Sequence, residues 1–234
     1  IIAITTQSSS DAPFLLNVDT GEKTELKGIT TEGARAADWS ATGEFLAIGD
    51  NDGQIYIYSV SGELIKRFPN ENSRSITAID WHPTKNIFIT VSEKIRIFDI
   101  EGKLLNSIKT RPEDILMLSV AWHKSGKFFV TGDYGDDKTK TLLQYWNEEG
   151  HLMRSIDISK GEIRNLRWNK KGTRLASASD ALRIWDMHGN LISEGKSTDY
   201  LWGVAWNKRG NRIITTSMEQ RVWIWRLGRD GRFD

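Results

Sequence analysis

The chain has 234 residues, with 32 basic and 31 acidic side chains, so no global field draws it to nucleic acid or to an anionic membrane. It has no cysteine, which excludes disulfides, thiol catalysis and cysteine-ligated zinc. That composition fits a reducing compartment, and the expectation is cytoplasmic, with the nucleus as the alternative. No apolar stretch reaches the roughly 18 residues that a membrane-spanning helix requires, and no membrane partner is expected.

Read in order, the chain opens on an apolar run at Ile1 to Thr6, followed by Phe-Leu-Leu-Asn-Val-Asp-Thr-Gly around Val18. It then repeats itself. Trp39, Trp81, Trp122, Trp168 and Trp206 each close a short apolar run and precede a polar turn, with successive spacings of 42, 41, 46 and 38 residues. A period near forty belongs to repeat architectures. Within each period a second apolar run follows, then a third ending in an aromatic, a glycine turn and a short fourth run. The third runs align best: Ile55 to Tyr58, Ile95 to Phe98, Leu143 to Trp146, Leu182 to Trp185, and Val222 to Trp225. Glycines 62, 102, 150 and 189 follow the first four, and either Gly228 or Gly231 follows the last. The β-branched content and the shortness of the turns predict strands and leave no room for helices. In the fourth full copy the strands are expected at Ile163 to Trp168, Leu175 to Ser179, Leu182 to Trp185 and Leu191 to Ser193. The fold class is therefore all-β, a single domain over 1–234. Its copies fall near 1–32, 33–71, 72–112, 113–160, 161–199 and 200–234. The first and last copies hold three strands each, which with four full copies makes 22.

The wording Ala-Ser-Ala-Ser-Asp-Ala-Leu-Arg-Ile-Trp-Asp at 176–186, and Asp52-Gly53 in a tight turn, resemble the WD40 repeat β-propeller family over essentially the whole chain. Two local stretches, Trp-Asn-Lys-Lys-Gly at 168–172 and Trp-Asp-Met-His-Gly-Asn-Leu at 185–191, are similar to propellers of transducin β-like corepressor proteins. These are common turn residues, and no nuclear role is carried over from them. The resemblance implies four-stranded antiparallel blades. In that family the N-terminal segment usually donates the outer strand of the last blade. A stretch of about twenty residues before Ile1 would supply both absent strands, by the reach of two short strands and a turn. Six blades are expected, with seven as the alternative. Only Trp185-Asp186 is a literal Trp-Asp pair, and the family's histidine before each first strand is replaced by Thr30, Asn72, Glu113, Ser159 and Ser197. Packing of tryptophans and aliphatics is therefore expected to join neighbouring blades in place of a histidine network.

For chemistry, His82 and His123 occupy equivalent turns without a third ligand at a recognisable spacing, and no metal is expected. The acidic loop Asp133-Tyr134-Gly135-Asp136-Asp137 lacks the ligand pattern of a calcium loop and reads as an insertion able to touch a partner. No nucleophile elbow, phosphate loop or sialidase box occurs, so neither an enzyme nor a cofactor is expected. Partner binding is what the resemblance implies, at positions six and four residues ahead of each recurrent tryptophan. From these the expected contact residues are Arg35, Thr77, Leu116, Leu118, Glu162, Arg164, Tyr200 and Trp202. The expected function is a non-catalytic scaffold for a partner protein or peptide in a larger complex. A small-molecule or glycan-binding propeller is one alternative. A nucleic-acid-associated one using Lys138, Lys140, Lys170, Lys171, Lys208 and Arg209 is another, although direct nucleic-acid contact is not expected.

Overall fold

The computed structural model describes all residues except 7–11, 30–32, 72–74, 111–114, 136–139, 158 and 234. Among the described residues there are 22 strands and no helix, and the chain divides into two compact units, 1–114 and 115–234. Thr30, Asn72, Glu113, Asp136, Asp137 and Lys138 lie outside the described residues.

The first unit holds β1 (Ile2–Ile4), β2 (Phe14–Leu16), β3 (Lys23–Glu25), β4 (Ala36–Trp39), β5 (Phe45–Gly49), β6 (Gln54–Ser59), β7 (Leu64–Pro69), β8 (Ala78–Trp81), β9 (Ile87–Val91), β10 (Ile95–Asp99) and β11 (Leu104–Ile108). The second holds β12 (Met117–Trp122), β13 (Phe128–Asp133), β14 (Leu143–Asn147), β15 (Leu152–Ile156), β16 (Asn165–Trp168), β17 (Arg174–Ala178), β18 (Ala181–Asp186), β19 (Leu191–Lys196), β20 (Leu201–Trp206), β21 (Arg212–Ser217) and β22 (Val222–Arg226). Every sheet is an antiparallel meander. The three-stranded sheets are β1 to β3 and β20 to β22, and the other four have four strands, as the repeat predicts.

Within each unit, sheets stack face to face, and this explains why the inner strands read as continuous apolar runs. Along β6, Ile55 and Ile57 face one neighbouring sheet with Ile79, Trp81, Phe88 and Phe98, while Tyr56 and Tyr58 face the other with Leu15 and Leu26. The same division occurs in the second unit. Leu175 and Trp185 pack with Val130 and Tyr145, and Ala176, Ala178, Leu182 and Ile184 pack with Leu201, Val204 and Ile213. Burying one such large side chain contributes roughly 1.5 to 3 kcal/mol.

The recurrent tryptophans do more than fill space. The Trp81 indole donates to the Asp38 carbonyl (3.0 Å), Trp168 to Ala121 (3.4 Å) and Trp206 to Arg167 (2.9 Å). Each acceptor immediately precedes the equivalent tryptophan of the preceding sheet, so one bond type recurs between first strands. A second series lies inside sheets: Trp146, Trp185 and Trp225 donate to the hydroxyls of Thr131, Ser177 and Thr215, each at 2.9 Å. Packing alone was the sequence expectation; the indole N–H, which a buried ring must satisfy, adds a directional term.

In the four complete sheets the aromatic ending the third strand sits at a register shift against the fourth, at Tyr58, Phe98, Trp146 and Trp185. The ambiguity after Trp225 resolves in favour of Gly231. It takes φ +88° and its N–H bonds to the Gly228 carbonyl at 3.1 Å, matching the turn at Gly62.

Replacing Trp81 by Phe keeps a ring and removes the bond to Asp38, with an expected loss of about 1 kcal/mol. Replacing it by Ala also leaves a cavity and is expected to cost about 3 to 5 kcal/mol. Denaturant unfolding of both variants measures the two terms separately.

Candidate partner-binding face

In the second unit, the loop ahead of β16 is pinned from beneath by the β17–β18 turn. Arg183 Nη1 donates to the Ser159 hydroxyl (3.3 Å), the Lys160 backbone N–H to Asp180 Oδ1 (3.3 Å), and the Ser179 hydroxyl to the Gly161 carbonyl (2.7 Å). Arg183 itself is buried. Its guanidinium meets both carboxylate oxygens of Asp180 at 2.7 and 3.1 Å, and its Nε donates to Glu194 at 2.7 Å. Burial pushes the Asp180 carboxyl up, but the bonds and charge of Arg183 outweigh it and hold the group below its ordinary value. Ser159 stands where the family places a histidine, so a buried arginine organises this loop instead.

On that platform lies the ring of Tyr200, so close to Gly161 that a Cβ there would strike it. Two residues on, Trp202 occupies a β-bulge: Leu201 pairs with Ser217 and Gly203 with Thr216, leaving Trp202 as the extra residue. Such a bulge re-aims a side chain. Leu201 turns fully inward while Tyr200 is 50% exposed and Trp202 45% exposed. The Arg164 guanidinium lies over the Trp202 ring, 4.7 Å from its centroid, and is ion-paired with Glu162. These four side chains line a cleft of about 420 Å³ together with Tyr134, Thr141, Lys160 and Met218.

The structure thus gathers Glu162, Arg164, Tyr200 and Trp202 from the expected set. Leu116, half-buried, precedes β12 and its carbonyl accepts the Tyr134 N–H (2.8 Å). Leu118 is buried at a bulge in β12 equivalent to that of Trp202. In the first unit, Arg35 is half-buried with its carbonyl accepting the Thr5 hydroxyl (3.4 Å), and Thr77 is buried with its hydroxyl on the Val91 carbonyl (2.8 Å). Tyr134 and Met218, at 47% and 62% exposure, were not among the expected contact residues. Tyr134 belongs to the acidic insertion already singled out; Met218 follows β21 with no local signal.

Both candidate histidines are buried turn clasps rather than solvent-edge residues. His82 Nδ1 accepts the backbone N–H groups of Thr84 and Lys85. His123 Nδ1 accepts the Ser125 N–H (3.2 Å), so its Nε2 donates to the Gly172 carbonyl (2.8 Å) as the neutral tautomer. Burial lowers the His123 pKa below its ordinary value, only partly opposed by the bond to Gly172. In the acidic insertion, Asp133 Oδ1 accepts the Leu142 N–H (2.8 Å), closing the turn.

Stacked all-β meander sheets of four strands, a tryptophan ending each first strand from the second sheet on, and a loop face built ahead of those strands define a WD40 repeat β-propeller, and the chain belongs to that family. The model of the Anaphase-promoting complex subunit 4 WD40 domain matches residues 27–84, and that of the WD domain, G-beta repeat, matches 102–139 and 189–226. The F-box-like/WD repeat-containing protein TBL1X of Mus musculus is 33% identical over 79 residues, which is 33% of this chain and 14% of that protein. Its Homo sapiens counterpart is 32% identical over 79 residues, or 33% and 13%. The match therefore spans a small part of those relatives' length. A chain of the crystal structure of the mitotic checkpoint complex superposes with a TM-score of 0.83 at 16% identity, over 99% of this chain and 73% of that one. At that identity the likeness establishes the fold.

Asp180→Asn leaves buried Arg183 with Glu194 as its remaining carboxylate and is expected to cost about 2 kcal/mol, less than for a fully buried pair. Because the Asp180 pKa is depressed, its contribution is present above about pH 4 and disappears as pH falls further, so the gap between wild type and variant should close there. For His123 the sign is opposite to that of a paired imidazole. With a lowered folded pKa, its contribution is complete above about pH 6.5 and falls as pH drops below that value. Thermal melts of wild type and His123→Gln across that range check it, the variant showing the flatter profile.

Proposed function

We propose that this chain is a non-catalytic interaction scaffold that captures a partner protein or peptide on the face carrying Glu162, Arg164, Tyr200 and Trp202. The observation that carries the reading is the exposure of Tyr134, Tyr200, Trp202 and Met218 around one cleft, with an arginine stacked on the indole. Aromatic and arginine side chains dominate interface energies when a partner desolvates them. Leaving several large apolar groups in water at one place costs solvation that a covering partner returns.

Preorganisation supports the same reading. Tyr200 rests on Gly161, Trp202 is set by its bulge, and the loop beneath is held by the Asp180–Arg183 pair, so little ordering accompanies binding. Similar proteins fit this role by their descriptions, one a chain of the mitotic checkpoint complex and another a domain of an Anaphase-promoting complex subunit. The protein would work in the cytoplasm as part of a larger complex.

Trp202→Ala and Arg164→Ala are each expected to weaken partner capture by about 30-fold, the equivalent of a hot spot of about 2 kcal/mol. Because both side chains are at least partly in solvent, thermal stability should move little. The measurement is a quantitative pull-down from cells of the source organism beside a melting curve. Several degrees lost in melting with capture intact would overturn the assignment of this face.

A further inference from the structure

At the other end of β16 and β20, about 13 to 20 Å away by strand rise, the second unit carries a cleft of about 580 Å³ of a different chemistry. The β16–β17 turn contributes Lys170 and Lys171, and the β20–β21 turn contributes Lys208 and Arg209. Lys124 enters from the β12–β13 turn, and Arg174 and Arg229 complete the wall. No acidic and no aromatic side chain lines it. None of these seven cations forms an ion pair among the described residues, although elsewhere Lys66, Lys140, Arg164, Arg183, Arg221 and Arg232 all do.

The fold brings these charges together by packing turn against turn. The His123 Nε2–H bond to the Gly172 carbonyl ties the β12–β13 turn to the β16–β17 turn, and a Cβ at Gly172 would meet Lys124 Cγ at 2.8 Å and His123 Nε2 at 2.6 Å. At Gly210 the nearest neighbour of such a Cβ is Asn169, at 3.7 Å, an ordinary contact that places the β20–β21 turn beside the β16–β17 turn. Asn169 Oδ1 accepts the Thr173 N–H (2.9 Å) and Asn207 Oδ1 accepts the Asn211 N–H (3.1 Å), fixing each turn backbone. The Arg174 guanidinium donates to the Arg229 carbonyl (2.9 Å), drawing the segment after β22 against the same wall. Like charges gathered on one wall repel one another, a cost that solvent and salt reduce and that a bound counter-charge reduces further.

We infer that this cleft binds a compact polyphosphate, several phosphate groups within one small ligand, either free in solution or displayed as a lipid headgroup. A concave cluster of cations focuses its field on such a group, and arginine adds paired N–H donors matched to phosphate oxygens. The lining argues against the other polyanions. Without an aromatic platform there is nothing to stack single-stranded bases, and the cations line one compact cleft. The site is independent of the Tyr200 and Trp202 face, being built on the opposite strand ends.

The test is titration calorimetry with inorganic tripolyphosphate on wild type, Lys170→Glu/Lys171→Glu, Lys208→Glu/Arg209→Glu and, as control, Lys66→Glu/Lys103→Glu. Binding that weakens at least about tenfold in each of the first two variants, is unchanged in the control, and falls with rising salt is the expected result. The source is read from vesicles of phosphatidylcholine containing phosphatidylinositol bisphosphate. Capture competed by tripolyphosphate assigns a headgroup, and no capture assigns a free ligand. Lys170, Lys171, Lys208 and Arg209 are exposed, so melting temperatures of the cleft variants should match wild type; if they do not, Lys170→Ala and Lys208→Ala provide the same comparison. Equal affinity in wild type and cleft variants, no tripolyphosphate binding, or tighter binding to a DNA duplex or single strand would each overturn the inference.

Discussion

The inner sheets of each compact unit are buried on both faces at once, and nearly every other feature follows from that constraint. A strand such as Ile55 to Tyr58 has to satisfy two neighbours, one through its isoleucines and the other through its tyrosines. Indole N–H groups carried into those interfaces need acceptors, and the backbone carbonyl just ahead of the preceding tryptophan supplies one for Trp81, Trp168 and Trp206. At Trp81, Trp168 and Trp206 the recurrent tryptophan thus supplies both an apolar ring and a directional bond between first strands. That combination explains why this residue type, rather than leucine or phenylalanine, repeats at the period of the fold.

With sheets locked by their faces, chemistry is left to the strand ends, and the two ends in the second unit differ sharply. Ahead of β16 and β20 lie exposed aromatics, a stacked arginine and an acid that pairs with it. Beyond them lie lysines and arginines with no counter-charge among the described residues. The net charge of the whole chain is nearly zero, so this polarity is one of arrangement rather than of composition. On the two proposals made above, a protein at one end and a phosphate-bearing ligand at the other would occupy separately addressable surfaces of the second unit.

The departure from the family's histidine also has a physical account. Arg183 in β18 reaches the loop ahead of β16 through Ser159 and anchors on Asp180 and Glu194, so the link that an imidazole would make is made by a longer, permanently charged side chain. In the first unit the equivalent Arg96 donates to the Glu71 carbonyl (2.9 Å) and the Ser92 hydroxyl (3.4 Å). The substitution keeps the loop fixed while freeing the position ahead of the strand for a small serine.

The number, order and type of the strands were legible in the sequence because period-forty recurrence and turn chemistry are local properties, carried by tryptophan, glycine and β-branched residues a few positions apart. The offset from the recurrent tryptophan named Tyr200 and Trp202, which are exposed, but by the same rule it named Thr77 and Leu118, which are buried. What only the tertiary structure decided depends on register and on neighbours distant in sequence. Trp202 is exposed and Leu118 buried although both occupy equivalent bulges, a difference that the local pattern does not carry. Tyr134 joins Tyr200 across more than sixty residues of chain, Met218 reaches it from the end of the neighbouring strand, and Lys124, Lys171 and Lys208 line one cleft because their turns lie side by side. Repetition writes the blade into the sequence, while the contacts between blades, which a one-residue slip would invert, are set only when the sheets are stacked.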